Sequence, residues 1–187
     1  VAFTSAMPEE GKTSTVINLA VSFAQLKQKV FIVEADMRRP RIARIFGANA
    51  ARGLSSSLTG KVTLKEAIQA TKVENLWVLP CGPIPPNPGE LLNSEKMKHM
   101  LDEASDVFDL VLIDTPPVLA VIDSGVISAM CDSVVFVVKA GKTAKISLTL
   151  PVSALAAAPA VGSYVLKVLA DASVQDEFEL KPDDNTL

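Results

Sequence analysis

The sequence predicts an α/β fold, a doubly wound and mostly parallel sheet with helices on both faces. Three observations carry that expectation. Short β-branched runs alternate with helical patterns along most of the chain, the order of parallel strands joined by right-handed helical crossovers. The runs are apolar without alternation, as in Val111-Leu112-Ile113, which a sheet covered on both faces requires. The first run, Val1-Ala2-Phe3-Thr4, leads directly into Gly11-Lys12-Thr13 and a helical pattern behind it.

In chain order, strands are expected over residues 1–5, 30–36, 76–81, 110–114 and 134–139, with a sixth at 164–169. Helices are expected over residues 12–27, 63–70, 94–108 and 121–131, and a last one beginning near Thr143. Thr63-Leu64-Lys65-Glu66 and Ser94-Glu95 carry the N-cap chemistry that starts such helices. The stretch 80–88, with Gly82, Pro83, Pro85 and Pro86, reads as a structured loop, because proline there removes donors that a helix or a central strand needs. Pro151 falls where a helix should run and residues 154–160 are compositionally bland, so 150–187 reads as a tail on a single domain spanning 1–187.

The chain has 187 residues, 49% hydrophobic and 21% charged, within the range of one ordinary globular domain. Its formal net charge of -3, without a basic patch, excludes the electrostatic footprint of a nucleic-acid binder. Apolar runs such as Val134-Val135-Phe136-Val137-Val138 fall far short of the roughly 20 residues needed to span a bilayer. Cys81 and Cys131 lack metal or redox spacing and are expected to be reduced core thiols. His99, among Lys96, Lys98 and Asp102, is expected on a solvated helix face. A strand at the very start leaves no room for a signal peptide, and the missing initiator Met suggests a piece of a longer, cytoplasmic chain.

Chemistry concentrates at residues 6–13, Ala6-Met7-Pro8-Glu9-Glu10-Gly11-Lys12-Thr13. A loop between a strand and a helix presents successive backbone N–H groups and a helix N-terminus to phosphate, the arrangement of a P-loop nucleotide-binding domain. Pro8, Glu9, Glu10, Gly11, Lys12, Thr13 and Ser14 are thus the candidate nucleotide-binding segment. In it Lys12 reaches the β and γ phosphates and the Thr13 hydroxyl ligates Mg2+. Glu34 and Asp36 end the second expected strand and Asp114 ends the fourth. Ligands of open α/β sheets bind outside such strand ends, so the three carboxylates are expected to converge on the loop, holding Mg2+ or accepting a proton. Arg38, Arg39 and Arg41 follow at once, as charge-neutralising or intersubunit groups or as ordinary surface arginines.

Three segments in this order, Asp36-Met37-Arg38-Arg39-Pro40-Arg41, the loop Cys81-Gly82-Pro83-Ile84-Pro85-Pro86-Asn87-Pro88-Gly89-Glu90-Leu91-Leu92 and Ile113-Asp114-Thr115-Pro116-Pro117-Val118-Leu119-Ala120, closely resemble the cytoplasmic domain of bacterial tyrosine kinases of capsular and exopolysaccharide synthesis. The likeness spans residues 1–148. The resemblance implies ATP and Mg2+ as cofactors, Lys12 on phosphate, Thr13, Asp36 and Asp114 on metal, and Glu34 as a metal-linked carboxylate acting as base. It implies transfer of the γ-phosphoryl group to tyrosine of a protein substrate in trans. It also implies a membrane-bound polysaccharide co-polymerase or activator as partner, a homo-oligomer, and a place at the inner face of the cell membrane through that partner or a missing N-terminal segment.

The departures are specific. Glu9 stands where the family has glycine, Glu34 where it has aspartate, and Tyr164 is the single tyrosine where the family often carries a tyrosine cluster. Two other functions compete. Partition and septum-site ATPases share the fold but usually carry a lysine where Met7 stands; a non-catalytic regulatory module would tolerate Glu9 and Glu34.

Overall fold

The computed structural model describes residues 1–139. Six strands form one sheet: β1 (Ala2–Ser5), β2 (Val30–Glu34), β3 (Gln69–Ala70), β4 (Leu76–Leu79), β5 (Leu110–Asp114) and β6 (Val134–Val137). Their spatial order is β3-β4-β2-β5-β1-β6, and every pairing is parallel except β3 with β4. The helices are α1 (Lys12–Gln25), α2 (Ile42–Phe46), α3 (Leu54–Leu58), α4 (Leu64–Ala67), α5 (Pro88–Leu92), α6 (Glu95–Val107) and α7 (Asp123–Ser128). Among the described residues no helix is long and apolar enough to cross a membrane.

Double winding explains the unbroken apolar strands. Successive side chains of a strand point to opposite faces. Phe31 and Val33 of β2 enter a core with Met97, Met100, Leu101 and Ala104 of α6, while Val30 and Ile32 enter a second core with Val16, Ala20 and Ala24 of α1. Both sets are buried, so β2 needs an apolar residue at every position. Phe31 also stacks on Phe108 at 4.6 Å between ring centroids, closing the first core at the foot of the sheet.

Helix starts follow the expected chemistry. Thr63 and Glu66 form a reciprocal capping box at α4, and Ser94 accepts from the Met97 amide at α6. The end of α4 corrects the expectation: the helix predicted to run to residue 70 stops at Ala67, because Gln69 and Ala70 pair antiparallel with Val78 and Trp77 at the sheet edge. Sheet pairing takes precedence over a weak helical pattern. The expected strand at 164–169 and helix near Thr143 lie outside the described residues.

Three five-residue helices, α2, α3 and α5, escaped the sequence because so short a segment shows no period and is held by tertiary bonds. At α3, the Leu54 and Ser55 amides donate to the Pro80 and Cys81 carbonyls, and the Ser55 hydroxyl donates to Pro83 O at 2.6 Å. The two segments lie so close that a Cβ on Gly53 would meet Pro80 O at 2.1 Å. Gly125 of α7 is exposed and a Cβ there would meet nothing within 4 Å. Gly53→Ala is therefore expected to destabilise the fold by about 1–3 kcal/mol. Gly125→Ala is expected to stabilise it by about 0.5–1 kcal/mol, through helix propensity alone. Denaturant unfolding of both variants checks the opposite signs.

Candidate functional site

The phosphate loop leaves β1 and turns on itself. The Met7 amide donates to Glu10 Oε2 at 2.7 Å, burying Glu10 inside the turn, and the Ser5 hydroxyl donates to the Met7 carbonyl at 2.9 Å. Glu9 has φ 68 and Gly11 φ 92, both in the left-handed region. Glycine occupies that region freely; for Glu9 it costs about 1–2 kcal/mol. Gly11 is the N-cap of α1, which has neither a side-chain cap nor an acidic residue in its first turn, so the helix terminus keeps its positive potential toward the loop.

Directly beneath, Lys12 Nζ lies 2.5 Å from Asp114 Oδ1 and 3.8 Å from Asp36 Oδ2, and the Thr13 hydroxyl donates to Asp114 Oδ2 at 2.7 Å. Asp114 is 2% exposed. Burial raises its pKa above the ordinary aspartate value, opposed chiefly by the Lys12 charge and then by the hydrogen bonds from Lys12 and Thr13. Asp36 sits where β2 has run out: the Ala35 and Asp36 amides both donate to the Asp114 carbonyl, and Asp36 Oδ1 accepts from the Arg39 amide at 3.1 Å.

Above these groups opens a cavity of about 310 Å³. Pro8, Glu9, Gly11, Lys12, Thr13 and Ser14 line one side, with Asp36, Arg38, Arg39 and Arg41 on another. Its far wall is apolar, from Pro116, Pro117, Ala120 and Val121. That wall is tied to the loop, since the Val118 amide donates to Ser5 O and the Thr4 hydroxyl to Pro116 O. In the sequence Pro116, Pro117 and Ala120 figure only as part of a resembling segment, without a role at the site, and neither Val121 nor the buried Asp123, whose Oδ2 lies 3.3 Å from Arg38 Nε, is singled out. An aspartate at a helix start reads as ordinary capping, so no local signal distinguishes it.

Glu34 corrects the expectation that three carboxylates converge on the loop. Its carboxylate is 1% exposed and faces main chain: Oε1 accepts from the Arg41 amide and, at 2.6 Å, from the Ile42 amide, while Oε2 accepts from the Cys81 amide at 2.9 Å. It does not line the cavity. Burial raises its pKa, and those three amides oppose the shift. His99 is on the surface as expected, 3.3 Å from Glu103 one turn on.

The oxygen donors that remain, the Thr13 hydroxyl with Asp36 and Asp114, suit Mg2+, which takes one or two carboxylates and fills its octahedron with water and phosphate. Among the described residues no three His, Cys, Asp or Glu side chains gather in a group that could hold a metal ion.

The AAA domain family model matches residues 9–150. Tyrosine-protein kinase YwqD of Bacillus subtilis is 46% identical over 145 residues, covering 78% of this chain and 61% of that protein. Tyrosine-protein kinase CpsD of Streptococcus agalactiae is 37% identical over 143 residues, covering 76% and 62%. The chain thus spans about three fifths of the length of these relatives. Among solved structures, the kinase domain of Escherichia coli tyrosine kinase ETK superposes with a TM-score of 0.79 at 32% identity, covering 97% of this chain and 72% of that one. The septum site-determining protein MinD of Pyrococcus horikoshii, complexed with Mg-ADP, shares the fold alone, with a TM-score of 0.63 at 23% identity.

The thiol at the site is inert by the same geometry. Cys81 is 1% exposed, and burial first, then the Glu34 and Asp36 charges, push its pKa up to about 12. Because the thiolate is the nucleophile, Cys81 in the folded protein is expected to resist alkylation at pH 8 and to react only on denaturation. Peptide mapping after timed iodoacetamide treatment reads this directly.

Proposed function

This chain belongs to the family of bacterial tyrosine-protein kinases, and on that premise we propose that it transfers the γ-phosphoryl group of ATP to the hydroxyl of a protein tyrosine, in the service of capsular or exopolysaccharide synthesis and export. The observation that carries the reading is the meeting of Lys12, Thr13, Asp36 and Asp114 where the loop and the start of α1 border a cavity rimmed by Arg38, Arg39 and Arg41.

When bound, Mg-ATP supplies the transferable phosphoryl group and a metal charge that neutralises it. The chain's own groups do the positioning. Lys12, paired with Asp114 in this structure, would hold the β and γ phosphates. Thr13, Asp36 and Asp114 would hold the metal. Arg38, Arg39 and Arg41 offset charge spreading over the transferred oxygens, Arg38 being steadied by Asp123. Phosphoryl transfer runs through a loose transition state, so positioning and electrostatics outweigh proton removal. The only tyrosine among these 187 residues is Tyr164, so a tyrosine-rich acceptor lies outside them. A membrane-bound co-polymerase or activator would bring that acceptor to the inner face of the membrane.

Incubation with γ-labelled ATP, Mg2+ and a tyrosine-rich peptide tests the reading. Label on peptide tyrosine supports it; free phosphate alone indicates a switch ATPase, and neither product indicates a regulatory module.

Three outcomes are expected at the level of binding. Saturating Mg-ATP, at about a hundred times its dissociation constant, should stabilise the fold by ~2.7 kcal/mol. Lys12→Ala should abolish the thermal shift, because the Lys12 ammonium faces the cavity floor and not an apolar core. Glu9→Gly should tighten nucleotide binding by removing backbone strain, and tighten ATP more than ADP by removing a carboxylate from the cavity rim. Calorimetric titration of both nucleotides separates the two effects: equal gains leave strain alone, and no gain places the Glu9 carboxylate away from the phosphates.

A further inference from the structure

The geometry points to Glu34 as a positioning residue, a carboxylate clamp that fixes the basic 38–41 loop against the ends of β2 and β4, and not as the proton acceptor of phosphoryl transfer. The inference deepens the kinase reading and rests on it for its catalytic consequence; the clamp itself stands on geometry alone.

A general base needs a lone pair within hydrogen-bond reach of the proton it takes. An ionised carboxylate offers about four lone-pair sites, and Glu34 spends three of them on backbone amides. Those amides belong to two separate segments. Arg41 and Ile42 close the basic loop and open α2; Cys81 opens the loop after β4. Glu34 ends β2 directly opposite Asp114 of β5, and Asp36, two residues on, lies on the cavity with Arg38, Arg39 and Arg41. Ile42, pinned through its amide, is also fully buried in the core beneath α1, so the loop is held at one end by charge and by packing together. No arginine side chain of the loop touches Glu34; the anion acts on their backbone and thereby sets where three guanidinium groups stand around the phosphates.

Chain length matters to this role. Both oxygens must reach past the strand end to amides on two flanking segments, and an aspartate would draw the carboxylate back by one methylene. Glutamate at this position thus gains reach, at the cost of a group free to take a proton.

The test compares the parent with Glu34→Gln and Glu34→Asp, each first shown to melt cooperatively. Amide hydrogen exchange at Arg41, Ile42 and Cys81 is followed without nucleotide, and peptide phosphorylation is followed at varied acceptor concentration. The clamp predicts faster exchange at all three amides in both variants, by about tenfold for each ~1.4 kcal/mol of hydrogen bonding lost. It predicts that Glu34→Gln, which keeps one acceptor oxygen, lowers kcat by less than about tenfold, whereas loss of a general base costs roughly 10²–10⁴ in kcat. Unchanged exchange at these amides overturns the clamp. A base-sized fall in kcat at constant KM in Glu34→Gln, with full activity in Glu34→Asp, also overturns it and restores Glu34 as base. If the parent transfers no phosphate, the kinase reading fails, and exchange alone still decides the clamp.

Discussion

The contact of Lys12 and Thr13 with Asp114 is the constraint on which the site depends. It joins residues a hundred positions apart in sequence, one pair opening α1 and the other ending β5, and it is buried. A buried ion pair gains little net stability, because desolvation consumes most of the attraction, but removing one partner strands the other charge at a cost of about 3–5 kcal/mol. The pair is therefore best understood as specifying position: it brings the loop, the helix terminus and the strand end to one point, where an anion with a divalent metal can replace the internal pairing.

Around that point the sheet supplies geometry and the loops supply chemistry. The central strands β2, β5 and β1 are covered on both faces, so their carboxyl ends are rigid. Each end passes at once into a segment tied by main-chain bonds, the phosphate loop by Glu10, the basic loop by Glu34 and the proline loop by Ser5 and Thr4. Two of the three ties are carboxylates aimed at backbone amides. Acidic residues near the loop thus serve two ends here: Asp36 lines the cavity and Asp114 holds Lys12 and Thr13 beneath it, whereas Glu10 and Glu34 bond main-chain amides of the walls.

That division explains what could be read from residues alone. The five parallel strands of the described region were legible because double burial leaves an unmistakable apolar run, and the loop at residues 6–13 because its helix follows a strand directly. Glu34 was not: a carboxylate at a strand end looks the same whether it faces metal or main chain, and the amides that bind it come from residues 7, 8 and 47 positions away. The same holds for Asp123 with Arg38, separated by 85 positions. The helical pattern after Thr63 misled for the complementary reason, since an edge-strand pairing lies outside any local window.

The central claim is that Lys12, Thr13 and Asp114 form one metal-dependent phosphate site. Calorimetric titration of ATP into the parent and into Asp114→Asn, each with Mg2+ and with excess chelator, measures it most directly. The account predicts that the parent binds ATP at least about tenfold more tightly with Mg2+ than without, and that Asp114→Asn loses this metal dependence while remaining folded. Equal affinity with and without Mg2+ in the parent, or an undiminished metal effect in Asp114→Asn, would contradict it.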